Sequence, residues 1–366
     1  MPAIVRSFVE ADIAAAADLH RRAFSLQAEP SDALSTSYAN YFRHVFLNPP
    51  LVVPGVGAMV CEEDGRLTGF LGVTPRPLRF RGRPILALLT SQFVVDPASR
   101  SLAGVRLMKA CLQGPQELTI ADESNDISRM ILERLGGHTS PAHSLHFTAV
   151  MRPGLRMTEM ARVPKWLSAV AAPVVGLVDR ALASAPRSPI RHLLPAELKA
   201  RPFENRDLLR FWHECSASLI PDHNEATLRW TFERLRQLES LHGPLHAVTL
   251  WTSKEQLAGA YAYHQSKDEV SHVVLFAAQP AFEAPVLDHL LATAAARGVS
   301  ALTGRVPPRH IHAFSRANCL MSNRPKWTTI HSASPEILYA IQSGDDALAP
   351  LDGEWLTHFN FRSHQG

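Results

Sequence analysis

Short apolar runs and helical stripes of apolar residues follow one another in an order that occurs twice along the chain. In the first round, residues 4–8 read as a strand. Asp12 can cap a helix whose apolar positions Ile13, Ala16, Leu19 and Ala23 share one face. A second helix is predicted over 31–46. Strand-like runs follow at 58–61, 67–73 and 86–95, the first two joined by the hairpin signal Asp64-Gly65. A helix over 101–112 and a strand over 117–120 come next. Residues 125–135 then place Ile127, Met130, Ile131 and Leu135 on one helix face, which ends at Gly136-Gly137. A strand over 144–151 closes the round.

The second round repeats the order. It has a strand at 198–203, helices at 207–218 and 225–238, and strands at 247–251, 257–264 and 271–276. Leu287, Leu290, Leu291 and Ala294 mark a helix by their i, i+3, i+4, i+7 spacing. A strand at 301–305, a short helix at 310–317 and a strand at 327–331 finish it. Residue identities echo the pattern. Arg6, Phe8, Asp12 and Ile13 match Arg201, Phe203, Asp207 and Leu208 at one offset, and Leu67 and Gly69 match Leu257 and Gly259. Two echoes in the same order indicate an internal duplication.

Composition narrows the class. The chain has 366 residues, 46% hydrophobic and 19% charged, which excludes a disordered chain and supplies apolar material for two cores. The balance of 37 basic against 34 acidic residues, net +3, offers no basic face for nucleic acid. Cys61, Cys111, Cys215 and Cys319 lie far apart without metal or redox spacing, so reduced thiols and a cytoplasmic location are expected. No apolar run reaches the ~18 residues of a membrane span, and the amino terminus lacks the signal-peptide pattern. The 18 histidines form no recognised metal-ligand motif, and no metal is expected.

The order of elements resembles the GCN5-related N-acetyltransferase (GNAT) fold, and particular residues strengthen the resemblance. Arg6-x-Phe8-x-x-x-Asp12 before a helix looks like the start of many such domains. Leu67-x-Gly69-Phe70 after an acidic hairpin resembles the family's second and third strands. The stretch 91–108 looks like its fourth strand, a Val-Asp-Pro turn and the pyrophosphate loop entering a helix. Asn125, Ser128, Ile131, Leu135 and Gly136 follow the spacing of its Asn-led helix. The resemblance covers about residues 3–152 by motif and about 197–335 by order of elements. It implies two tandem GNAT-like α/β domains, each a mixed, mostly antiparallel sheet flanked by helices. The expected boundaries are 1–152, an apolar helical linker at 153–196, and a degenerate second domain at 197–366. The linker's charge-free 166–178 has basic flanks and reads as a helix packed between domains. The alternative is peripheral membrane contact through 160–185.

The resemblance also implies an activity: transfer of an acyl group from acetyl-CoA or another acyl-CoA to an amine of a small molecule or peptide, by direct attack. Unpaired N–H groups at a helix start favour a pyrophosphate. A splayed strand can pair with a pantetheine arm. The implied cofactor-binding residues are Phe93, Val94, Val95, Ser99, Arg100, Ser101, Leu102, Ala103, Gly104, Val105 and Asn125. Gln92 and Ser91 are the candidates for orienting the amine or relaying its proton. Two departures stand out. The family's glycine-rich loop is degenerate, with Leu102 in place of its first glycine in the register that puts Leu107-Met108 on the usual apolar pair. Leu132 occupies the position where many members carry an acidic tyrosine. A catalytically silent GNAT-like binding or scaffold protein, and a Fem-type aminoacyl transferase, remain alternatives.

Overall fold

The computed structural model describes residues 3–24, 32–98, 102–160, 173–179, 181–182, 194–266, 270–323 and 326–359. Ser99, Arg100, Ser101 and most of the 160–185 segment lie outside the described residues. The first half contributes strands β1 (Ile4–Ser7), β2 (Met59–Glu63), β3 (Arg66–Phe80), β4 (Arg83–Val95), β5 (Leu118–Ser124), β6 (His138–Thr139) and β7 (Leu145–Val150). The second contributes β8 (Leu198–Pro202), β9 (Leu219–Pro221), β10 (Leu245–Thr252), β11 (Leu257–His264), β12 (Ser271–Ala278), β13 (Ala301–Arg305), β14 (Leu320–Asn323) and β15 (Trp327–His331). The helices that matter are α1 (Ile13–Ala23), α2 (Asp32–Phe42), α3 (Ala103–Leu112) and α4 (Asp126–Arg134) in the first half, and α5 (Glu283–Ala296) and α6 (Ile311–Arg316) in the second. No helix among the described residues is long and apolar enough to cross a membrane.

Two mixed, mostly antiparallel sheets result, each flanked by helices. One has the order β1-β2-β3-β4-β5-β15-β6, with β9 pairing the far end of β3; the other runs β14-β7-β13-β12-β11-β10-β8. The parallel pairs are β4 with β5 and β12 with β13. The closing strands form where the alternation predicts them, but they are exchanged. β7 leaves the first half to lie between β13 and β14, and β15 returns to lie between β5 and β6.

The echoed glycines have a packing reason. A Cβ on Gly69 would stand 2.8 Å from Leu107 of α3, and one on Gly259 would stand 2.9 Å from Val286 of α5. In each half, a missing side chain lets the helix that follows the fourth sheet strand press against the third. The β3–β4 hairpin is longer than the predicted runs, and β3 continues through Pro75 and Pro77. β2 pairs β3 only as far as Leu71, so the missing N–H groups of these prolines leave no β2 ladder bond unmade.

The core beneath β3 and β4 is aromatic. Phe8, Phe42, Phe46 and Phe70 are buried together with Leu19 and Tyr38, and Phe8 meets Phe70 edge-on with centroids 5.2 Å apart. Residues 354–359 run back from the second half onto this core, where Phe359 stacks on Tyr38 at 4.2 Å.

Candidate active site

β4 and β5 are paired only at Ala87, Leu88 and Leu89 with Leu118, Thr119 and Ile120. Beyond these residues they part, because β5 continues along β15 as far as Ser124 opposite Trp327 while β4 stays with β3. β4 also bulges. Phe70 pairs Val94 and Gly72 pairs Ser91, so Gln92 and Phe93 together oppose Leu71. Gln92 takes φ +48°, a left-handed conformation costly for a residue with a side chain.

Gln92 is held by a chain of hydrogen bonds. Its Nε2 donates to the carbonyl of Thr357 (3.2 Å), an acceptor only, which turns Oε1 toward His20 Nε2 (2.7 Å). That contact requires His20 to carry its proton on Nε2, leaving Nδ1 to accept from the Tyr38 hydroxyl (3.2 Å). Burial lowers the His20 pKa to about 4, against the opposing pull of Gln92, so this neutral form dominates near pH 7. Tyr41 donates to the same Thr357 carbonyl (2.5 Å). The bulge is thereby tied to α1, to α2 and to the chain's last described segment.

A cavity of about 410 Å³ fills the gap between the parted strands. Ser91, Gln92 and Phe93 line it on the β4 side, Glu123, Ser124 and Asn125 on the β5 side, and Glu354 and His358 close it from the second half. Ser91 is 2% exposed, and its hydroxyl has no partner among the described residues. Asn125 caps α4 by accepting the Ser128 N–H at 2.9 Å while facing the cavity. Leu132 lines the wall too. Val94 points to the opposite face, among Phe8 and Phe70.

α3 enters this region end-on. A Cβ on Gly104 would stand 3.1 Å from Phe93 and 3.3 Å from Val95, so Gly104 brings the helix start against β4. The Arg106 N–H bonds the Leu102 carbonyl (2.9 Å), which closes the first described turn. The Leu102 side chain is 62% exposed and does not crowd the interior. Asp96 is a turn residue: its carboxylate accepts the Ala98 N–H at 2.9 Å.

Two carboxyl groups with opposite tendencies meet in the cavity. Burial pushes the Glu123 pKa up, but His358 (3.5 Å) and Lys326 (2.5 Å) outweigh it and hold Glu123 well below the usual carboxylate range. Glu354 is pushed the other way, first by burial and then by the neighbouring charges of Asp122 and Glu123. Its backbone is locked in place. The Glu354 N–H donates to Asp122 Oδ1 (2.7 Å), and Asp122 Oδ2 accepts from Arg305 (2.6 Å). A Cβ on the preceding Gly353 would lie 1.7 Å from Asp122 Oδ2, so only glycine fits there. Glu354 had no motif to reveal it, because it reaches the cavity by a long return of the chain.

Other polar and reactive side chains lie elsewhere. His44 stacks on Trp230 with centroids 5.5 Å apart. Asn224 caps a helix by accepting the Thr227 N–H, while His223 pairs with Asp352 at 2.8 Å. All four cysteines are unbridged, and burial pushes the thiols of Cys111 and Cys319 up to about 12.

No protein-family model matches the chain, and no curated protein matches it in sequence. Solved structures match in fold. A GCN5-related N-acetyltransferase from Anabaena variabilis superposes with a TM-score of 0.56 at 10% identity, covering 90% of this chain and 72% of that one. One from Kribbella flavida gives 0.53 at 13% identity, with 90% and 70% covered. Eis1 from Mycobacterium abscessus gives 0.51 at 13% identity, with 93% and 76% covered. The likeness is one of fold: two GNAT-like units in a single chain.

Proposed function

We propose that this chain is an acyl-CoA-dependent N-acyltransferase, with acetyl-CoA as the simplest donor. The observation that carries the reading is the cavity between the parted β4 and β5, with the buried carboxyl of Glu354 in its wall. The donor is a substrate whose pantetheine arm can lie along the freed edge of β4, with its diphosphate toward the start of α3. Leu102, Ala103, Gly104 and Val105, with Phe93 and Val95 behind them, supply that end of the site. Ser99, Arg100 and Ser101 are assigned to it by sequence.

In the reaction the amine nitrogen bonds to the thioester carbon, the carbon–sulfur bond breaks, and the thiolate leaves. The proton lost by the amine goes to ionised Glu354, whose raised pKa makes it a better base than an ordinary carboxylate. Ser91 is the donor available for the thioester oxygen, since its hydroxyl is committed to no other group among the described residues. The Gln92 amide is already engaged with His20 and Thr357, so Gln92 is a positioning residue that maintains the bulge. Glu123, ionised and paired, keeps negative charge beside Glu354 and sustains its affinity for a proton.

Calorimetric titration with acetyl-CoA and longer acyl-CoAs tests the reading, followed by mass spectrometry for acylated amines. One binding event per chain is expected. The absence of any heat or thermal shift with all donors overturns it. Binding without turnover on any amine favours a silent acyl-CoA-binding protein instead, a reading that Leu132 at the tyrosine position supports.

A further inference from the structure

A second cavity of about 290 Å³ lies where β12 and β13 part, and it shares Glu123 and Lys326 with the first. Its lining is charged at one end and aromatic at the other. Asp122 and Glu123 face Arg305 and Lys326, with His146, His272 and Trp355 around them. Both carboxylates are already engaged. Asp122 takes Arg305 and the Glu354 N–H, while Glu123 takes Lys326 and His358.

The cations are not exhausted by these contacts. Arg305 spends one N–H on Asp122 and one on the Thr328 hydroxyl (3.3 Å), of five that a guanidinium carries. The remaining three have no partner among the described residues, although the side chain is only 12% exposed. Lys326 likewise makes one hydrogen bond among the described residues, to Glu123, out of three possible. Half-buried donors of a permanent cation gain most from an anionic acceptor.

We propose that this second cavity is the acceptor site, and that it takes an amine that also carries a carboxylate, an amino acid in the simplest case. The inference rests on the acyltransferase reading for its amine end. The carboxylate would engage Arg305 and the Nε2–H of protonated His146, whose Nδ1 already donates to the Ser144 carbonyl (3.0 Å), and the rest of the molecule would lie against Trp355 and His272. The amino group would pass the shared wall of Glu123 and Lys326 and meet Glu354 in the first cavity. An amine without an anionic group would leave the Arg305 donors unmet. Asp122 connects the two ends, since it holds the Arg305 guanidinium through one oxygen and the Glu354 backbone through the other. The proposed reaction is the one already balanced above, with the amino acid nitrogen as nucleophile.

The test uses the full chain and begins without any acyl-CoA, so that it does not depend on donor binding. Each of the common L-amino acids is titrated calorimetrically. The best binder is then compared with its carboxamide, its decarboxylated amine and, as a phosphonate control, 2-aminoethylphosphonate. At least one amino acid should bind, and both forms lacking the carboxylate should bind at least about tenfold more weakly. Arg305→Gln should weaken the amino acid by a similar factor and leave the acetyl-CoA Kd unchanged. His146→Ala, which spares the ion pair with Asp122, should also weaken it, and it serves if Arg305→Gln does not fold. The proposal is overturned if no amino acid binds, if the carboxamide binds equally well, if only the phosphonate binds, or if neither variant affects binding. Amino acid binding in a protein that ignores every acyl-CoA would uphold this site while removing the acyltransferase reading.

Discussion

Both halves of the molecule part a parallel strand pair, yet the two gaps differ in size and in what backs them. In the first half, β4 and β5 diverge after Leu89 and Ile120 around a cavity of about 410 Å³. In the second, β12 and β13 pair only at Ser271 and His272 with Leu302 and Thr303. There the cavity is smaller, about 290 Å³, and the sheet beside it is backed by rings: Phe314 lies 4.7 Å from Phe147 and 5.1 Å from Phe276. The helix starts differ as well. α3 begins with Ala103 and Gly104, whereas α5 is entered through Pro280, which has no N–H, and opens with Glu283, paired with His310 at 2.9 Å. The same backbone device opens toward a helix start in one half and is backed by a ring-packed core in the other. What decides is a few aromatic side chains and the charge at one helix end.

The largest effect expected from probing this contrast is on stability. Phe314→Ala should cost about 4 kcal/mol in denaturant unfolding, as for a fully buried ring in a packed core. Acyl-CoA stoichiometry should stay at one per chain, because Pro280 and Glu283 still disfavour an anion. A second binding event in this variant would dissolve the contrast between the halves. Next, Glu354→Gln should lower kcat by roughly 100- to 1,000-fold with the donor Kd unchanged. In the unaltered protein kcat/KM should rise with pH through a range above that of ordinary carboxylates, and the variant should lose this limb. A carboxyl whose pKa is raised by folding contributes stability that is present at low pH and lost as pH rises through the folded value. The same variant should therefore gain thermal stability at alkaline pH. The smallest effect sharpens the location of the open gap. Ser128→Trp, on the cavity side of α4, should weaken acyl-CoA binding by roughly 30-fold in calorimetry, with little change in Tm.

Much of this architecture is legible in the alternation and spacing of apolar residues. The two rounds of elements and the paired glycines at 69 and 259 follow from local pattern, whereas the place of Ser91 to Val95 beside the gap follows from the family resemblance. The exchange of β7 and β15 does not, because alternation specifies the buried face of a strand and is silent about which edge it will join. The long β3–β4 hairpin was hidden by Pro75 and Pro77, whose meaning depends on whether β2 reaches that far. Within the site, Ser91, Gln92 and Asn125 could be named from the chain only through the resemblance of 91–108 and of the Asn-led helix to a known family. Glu354 could not. It is one acidic residue in a short 3-10 turn, and its character comes from burial and then from the charges of Asp122 and Glu123, more than 200 positions away.

The crossing of β7 and β15 has a consequence for how the protein comes into being. β5 cannot be covered on its outer edge until Trp327–His331 has been synthesised, so the emerging amino-terminal portion leaves the ribosome with a row of unpaired backbone groups along that edge. Expression of that portion by itself should yield an adhesive fragment, because the strand that covers β5 belongs to the other half of the chain.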